Sequence, residues 1–101
     1  MNPQYVSGRA FEYARKKYWE DQKHKVVRAA GSHGIFDLIT FGPNGTVQGI
    51  QCKLTDTVGK AEAMLAKWKT NPPIPDRACN QFLQVLEVKV KHEKGVRSVT
   101  V

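Results

Sequence analysis

The sequence predicts an α/β fold: one domain over residues 1–101, with a central mixed sheet flanked by helices. Two stretches repeat their apolar residues at helical spacing, and five others are β-branched runs bounded by turn residues. Their order is α-β-β-β-α-β, with a last strand after a turn, and helices alternating with strands favour sheet-and-helix layers. The 101-residue length suits one compact domain, and the hydrophobic fraction of 41% and charged fraction of 25% are those of an ordinary globular chain.

The first helix is expected to start near Gly8, capped by Ser7, and to end between Asp21 and Lys23. Ala10, Phe11, Ala14 and Tyr18 form its apolar stripe; Arg9, Arg15, Lys16, Lys17 and Lys23 occupy the other faces. Val26 and Val27 place a strand at 25–29, and Gly-Ser-His-Gly is a loop. "IFDLITF" and "TVQGIQCKL" are strands joined by the turn "GPNG". Thr57 caps a second helix at 58–69, whose buried stripe is Val58, Ala61, Leu65 and Trp68. No helix crosses the proline-rich "TNPPIPDRA". "NQFLQVLEVKVKH" is a long strand, "EKG" a turn and "VRSVTV" the last strand.

Between Ala29 and Cys52 the only charged residue is Asp37. A three-residue Pro43-Asn44-Gly45 loop would pair Gly42 with Thr46, with Gly45 in the left-handed position. Counting back, Leu38 faces Ile50, Asp37 faces Gln51 and Phe36 faces Cys52, because directly opposed residues share a face. The expected patch is therefore Asp37, Gln51 and Lys53, with Phe36, Leu38, Ile50 and Cys52 opposite. A two-residue loop would shift this register by one. A carboxylate and an amide carbonyl are hard oxygen ligands suited to Mg²⁺, and a nearby lysine can neutralise charge developing on a phosphate. A plain Asp–Lys ion pair on a solvated face is the alternative.

Charge narrows the partner. The net charge is +7, and residues 1–35 carry seven Lys and Arg against three acids. A small, strongly basic domain suits a polyanion. No apolar run is long enough to span a bilayer, and the N-terminal stretch lacks the apolar core of a signal peptide. Cys52 and Cys79 form neither a disulfide framework nor a CxxC pair, so both are expected as thiols in a cytoplasmic protein, or in host cytoplasm if it is viral. Cys52 is expected to point into the core. Trp19 and Trp68 are read as packing residues. His24, His33 and His92 lack metal-site spacing.

Asp37, a short hairpin and then Gln51-Cys52-Lys53 resemble the core of the PD-(D/E)XK nuclease superfamily. Upstream, "GRAFEYARKKYWEDQKHKVVRAAGSHGIFDLI" is similar to the start of archaeal-type and phage-type Holliday junction resolvases. The match covers residues 8–54. It implies a restriction-endonuclease-like fold, with the helical glutamate on Glu12, the strand arginine on Arg28, the loop serine on Ser32, the metal aspartate on Asp37 and the lysine on Lys53. Those resolvases usually have Glu where this chain has Gln51.

The resemblance implies a Mg²⁺-dependent endonuclease that resolves four-way DNA junctions by paired nicks. Mn²⁺ is the alternative ion. Glu12, Asp37 and Gln51, with the Cys52 backbone carbonyl, would hold the metal, and Lys53 and Ser32 would complete the catalytic set. Arg9, Arg15, Lys16, Arg28, Ser32 and His33 would contact DNA. Glu12 paired with Lys16 on the helix surface is the alternative for Glu12. Two symmetric nicks suit a C2 homodimer, and the long strand's apolar residues on both faces leave one face for a partner unless helices cover both. The alternative functions are a virus-type replication-repair nuclease on other branched DNA and a basic nucleic-acid-binding domain that does not cleave.

Overall fold

The computed structural model describes residues 3–29, 34–75 and 82–101, with side chains from Gly8 onward. Helix α1 spans Pro3–Asp21. It begins before the expected Gly8, and position 7 falls within it. Proline is well suited to a first helical position, where its missing N–H costs nothing. At the other end Lys23, at φ 69°, closes a Schellman turn: its N–H donates to the Glu20 carbonyl, and that of His24 to the Trp19 carbonyl.

Strands β1 (Lys25–Arg28), β2 (Leu38–Phe41) and β3 (Val47–Thr55) follow, then α2 (Val58–Thr70), β4 (Phe82–Val90) and β5 (Arg97–Thr100). The five strands form one mixed sheet in the order β1-β2-β3-β4-β5. Only β3 and β4 pair in parallel, which requires the crossover that α2 supplies. The Thr57 hydroxyl accepts the Lys60 N–H, the expected cap. In the β2–β3 turn the Gly42 N–H donates to Thr46, and Gly45 takes φ 85°. Leu38 lies opposite Ile50, the register the three-residue loop predicts.

The core has two halves, one on each side of the sheet. Beneath α1 lie Leu38, Ile50 and Val85, with Trp19, Val26, Cys52 and Leu83 packed around them. On the other side Ala61 and Trp68 of α2 pack on Leu86, Val88 and Val90. Helices of the same chain therefore cover both faces of β4, so its apolar alternation is internal packing. The sheet face expected to receive a partner is occupied.

The inward stripe of α1 differs from the expected one. Phe11 is buried, but Ala10, Ala14 and Tyr18 are exposed. The face toward the sheet carries Phe11, Arg15 and Trp19, spaced four apart. Arg15 turns inward because its partner is inside: Nε and Nη2 donate to the two carboxylate oxygens of Glu87 at 2.8 and 2.9 Å. Trp19 Nε1 adds a third hydrogen bond to Glu87 at 3.2 Å. Glu87 is only 2% exposed, and a buried carboxylate needs such partners. Among the described residues no helix is long and apolar enough to cross a membrane.

Candidate active site

The chain leaves the β2–β3 ladder at Asp37. With Leu38 opposite Ile50, regular pairing would set residue 37 opposite 51. Instead the Asp37 N–H donates to the Ile50 carbonyl at 2.8 Å. The Asp37 carboxylate then accepts the Cys52 N–H at 2.8 Å, standing where a backbone carbonyl of β2 would otherwise sit. This explains why β2 starts at Leu38 and not at Ile35.

The slip also turns Phe36 over. Its ring meets Trp68 and Phe82 edge-on, with centroids 6.4 and 5.7 Å away, on the α2 side. It lies directly over Gly49, where a Cβ would sit 2.7 Å from the ring. Phe36 thus does not share a face with Leu38, Ile50 and Cys52, and only glycine leaves room for it in mid-strand.

Gln51 and Lys53 alternate on β3 and do share a face, as expected. That face looks into a cavity of about 330 Å³ under the C-terminal half of α2, and Asp37 is not part of its wall. Gln51 and Lys53 line this cavity, while the Asp37 carboxylate is held in the ladder by the Cys52 N–H, the residue between them on β3.

Glu12, on α1, lies within range of the Asp37 charge. The Glu12 carboxyl is held above its ordinary pKa, first by burial and then by the Asp37 charge. Arg28 opposes this: its Nε is 3.4 Å from Glu12 Oε1, an ion pair too long for a good hydrogen bond. That buried Nε finds no hydrogen-bond partner among the described residues, and the guanidinium lies 4.8 Å over the Tyr13 ring. Glu12 is thus tied to Arg28 and not to Lys16, which bonds Glu20 at 2.9 Å. Cys52 is largely buried beside them. Desolvation, then the charges of Glu87, Asp37 and Glu12, push its thiol pKa far up, so it is no nucleophile.

Arg15 was expected on DNA, but its Nε and Nη2 both donate to Glu87. Burial opposes its charge, yet the Glu87 hydrogen bonds and charge outweigh that and raise its pKa. Arg9 lies near enough to Glu12 to lower its pKa. Ser32, His33 and Cys79 lie outside the described residues. Among the described residues no group of three His, Cys, Asp or Glu side chains is placed to hold a metal ion. Glu87 is the site-adjacent residue that sequence reasoning missed. Its signal was the one Asp37 gave: from Phe82 to Val88 it is the only charge in an apolar strand.

No protein-family model matches the chain, and no curated protein matches it.

Proposed function

We propose that this protein is a metal-dependent endonuclease of the PD-(D/E)XK type, with a restriction-endonuclease-like fold, that nicks branched DNA and resolves four-way junctions. The observation that carries this reading is the Asp37 carboxylate held by the Cys52 N–H at 2.8 Å, between Gln51 and Lys53 on β3, with Glu12 of α1 within range of its charge. Two carboxylates from different elements lie close enough for the Asp37 charge to hinder ionisation of Glu12. Such a pair is unfavourable by itself and is relieved by a cation. The basic surface, net +7 overall, favours a polyanion.

The donor chemistry fits Mg²⁺, or Mn²⁺ in its place. Glu12 and Asp37 would hold the ion. The Cys52 carbonyl would join them, since an extended residue sends its N–H and C=O to the same strand edge and the Cys52 N–H already points at Asp37. A bound divalent ion would polarise a phosphate and acidify its water. The chain's own residues do the rest. The Cys52 N–H fixes one Asp37 oxygen and so orients the other. Arg28 holds Glu12 in place. Lys53, exposed on β3, offers its ammonium to a phosphate passing the end of the ladder. Two nicks in one junction would come from two copies of the chain, joined at a surface other than the helix-covered faces of the sheet.

A second reading has its own support. Gln51 is neutral and faces the α2 cavity, and Arg28 already supplies Glu12 with a positive charge. Both features suit a domain that binds DNA without cutting it. A comparison of four-way junction, flap, linear duplex and single strand, with Mg²⁺ and with chelator, separates the two. Scission that appears only with Mg²⁺ supports the nuclease. Binding of branched DNA with no scission in either Mg²⁺ or Mn²⁺ supports the binding domain.

A further inference from the structure

We propose that the cavity beneath α2 receives a single unpaired nucleotide, with its base inside and its 5′-phosphate at the rim. The inference rests on the branched-DNA reading, because an unpaired nucleotide is what a branch point offers. The cavity's walls come from two elements in regular spacing. Met64, Lys67 and Trp68 fall at i, i+3 and i+4 on α2 and so share one face, and Asn71, the residue that caps its C-terminus, extends the wall. Gln51 and Lys53 face them from β3. At about 330 Å³ the space is at the small end of ligand pockets, which run roughly 300–1,000 Å³.

The chemistry of the lining selects the ligand. Trp68 is buried, and its indole N–H donates to the Gln84 carbonyl at 3.2 Å, which makes it a fixed apolar floor. Met64 adds a polarisable side wall suited to an aromatic ring. Gln51 and Asn71 each carry a donor and an acceptor, the pair of functions a base edge requires. Lys53 and Lys67 are exposed at the rim and supply positive charge. The carbonyls at the C-terminal end of α2 disfavour an anion, so the phosphate depends on those two lysines. The lining residue Pro73 is steadied through its neighbour: the Gln84 side chain accepts the Ile74 N–H at 2.9 Å and donates to the Ile74 carbonyl at 2.8 Å.

Isothermal titration in EDTA, where no cleavage occurs, tests this with 5′-dAMP, deoxyadenosine and inorganic phosphate as probes. The expected order is dAMP first, with each of the other two at least fivefold weaker. Lys67→Ala should weaken dAMP about fivefold to tenfold and leave deoxyadenosine unchanged. Met64→Trp, which fills the cavity, should abolish both, and melting curves show whether each variant is folded. Equal binding of phosphate and dAMP would reduce the site to surface lysines and overturn the proposal. So would dAMP binding unmoved in both folded variants, or no dAMP binding at all. If Met64→Trp does not fold, the Lys67→Ala contrast between dAMP and deoxyadenosine decides alone. Because these titrations involve no metal and no scission, a failure here leaves the nuclease reading standing, and an inactive nuclease leaves the pocket standing.

Discussion

The Asp37 carboxylate accepts the Cys52 N–H at 2.8 Å and so occupies a rung of the strand ladder itself. The only charge between Ala29 and Cys52 is therefore structural on one oxygen, which leaves the other for chemistry. This dual position governs how variants at and around the site should behave.

Gln51→Glu tests the reach of residue 51. Gln51 lines the cavity beneath α2, and Asp37 is not among its lining residues, so the added carboxylate should leave unchanged the Mg²⁺ concentration needed for half-maximal cleavage. A lower Mg²⁺ requirement, read from a titration of cleavage rate, would bring residue 51 into the ligand set and contradict the arrangement.

Arg15→Ala should act on stability and not on DNA affinity. It strands Glu87, which is 2% exposed, and breaking a buried pair costs about 3–5 kcal/mol. Urea unfolding should show that loss, and the double variant Arg15→Met/Glu87→Leu should recover most of it, because no unpaired charge remains. A stable Arg15→Ala protein with weakened junction binding would return Arg15 to the DNA surface.

Glu12→Gln carries a pH signature. Burial, then Asp37, raise the Glu12 pKa above its ordinary 4.5, so the folded state holds this proton more tightly than the unfolded chain. Stability from this group is thus present below pH 4.5 and is lost as pH rises through the raised folded pKa. Gln mimics the protonated form, so the variant should melt higher than wild type at pH 7 and together with it at pH 4. A variant less stable at pH 7 would mean that the Arg28 pair outweighs burial and the Asp37 charge together.

Gly49→Ala should cost about 1–3 kcal/mol, the usual range for overpacking, because its Cβ would sit 2.7 Å from the Phe36 ring. In a Phe36→Ala background the same change should cost almost nothing. Thermal melts of the four proteins give the coupling, and an additive result would show that the ring does not lie over Gly49.

Much of the architecture was legible in the sequence because it follows local rules. The Thr57 cap, the left-handed Gly45 and the Leu38–Ile50 register each depend on a few neighbouring residues. What escaped depended on partners distant in sequence. Arg15 looked like a surface cation until Glu87, on the far side of the chain, came to lie beneath it. Asp37 was singled out by its isolation, but not its turn into the ladder, because alternation assumes regular pairing and a side chain had replaced a backbone acceptor. Glu87 was legible in principle, since a lone charge in an apolar strand must be paired to be buried.

The proposed metal-dependent scission at Asp37 is tested by mapping the nicks in one labelled four-way junction with Mg²⁺ for wild type, Asp37→Asn and Lys53→Ala. Asparagine keeps an oxygen for the Cys52 N–H, so the fold is retained while the ligand charge is lost. A nuclease of this kind should make paired nicks on opposed strands as wild type, and both variants should cleave at least a hundredfold more slowly with junction binding largely intact. Wild-type rates in Asp37→Asn, or a wild-type protein that binds the junction and never cuts it with Mg²⁺ or Mn²⁺, would contradict it.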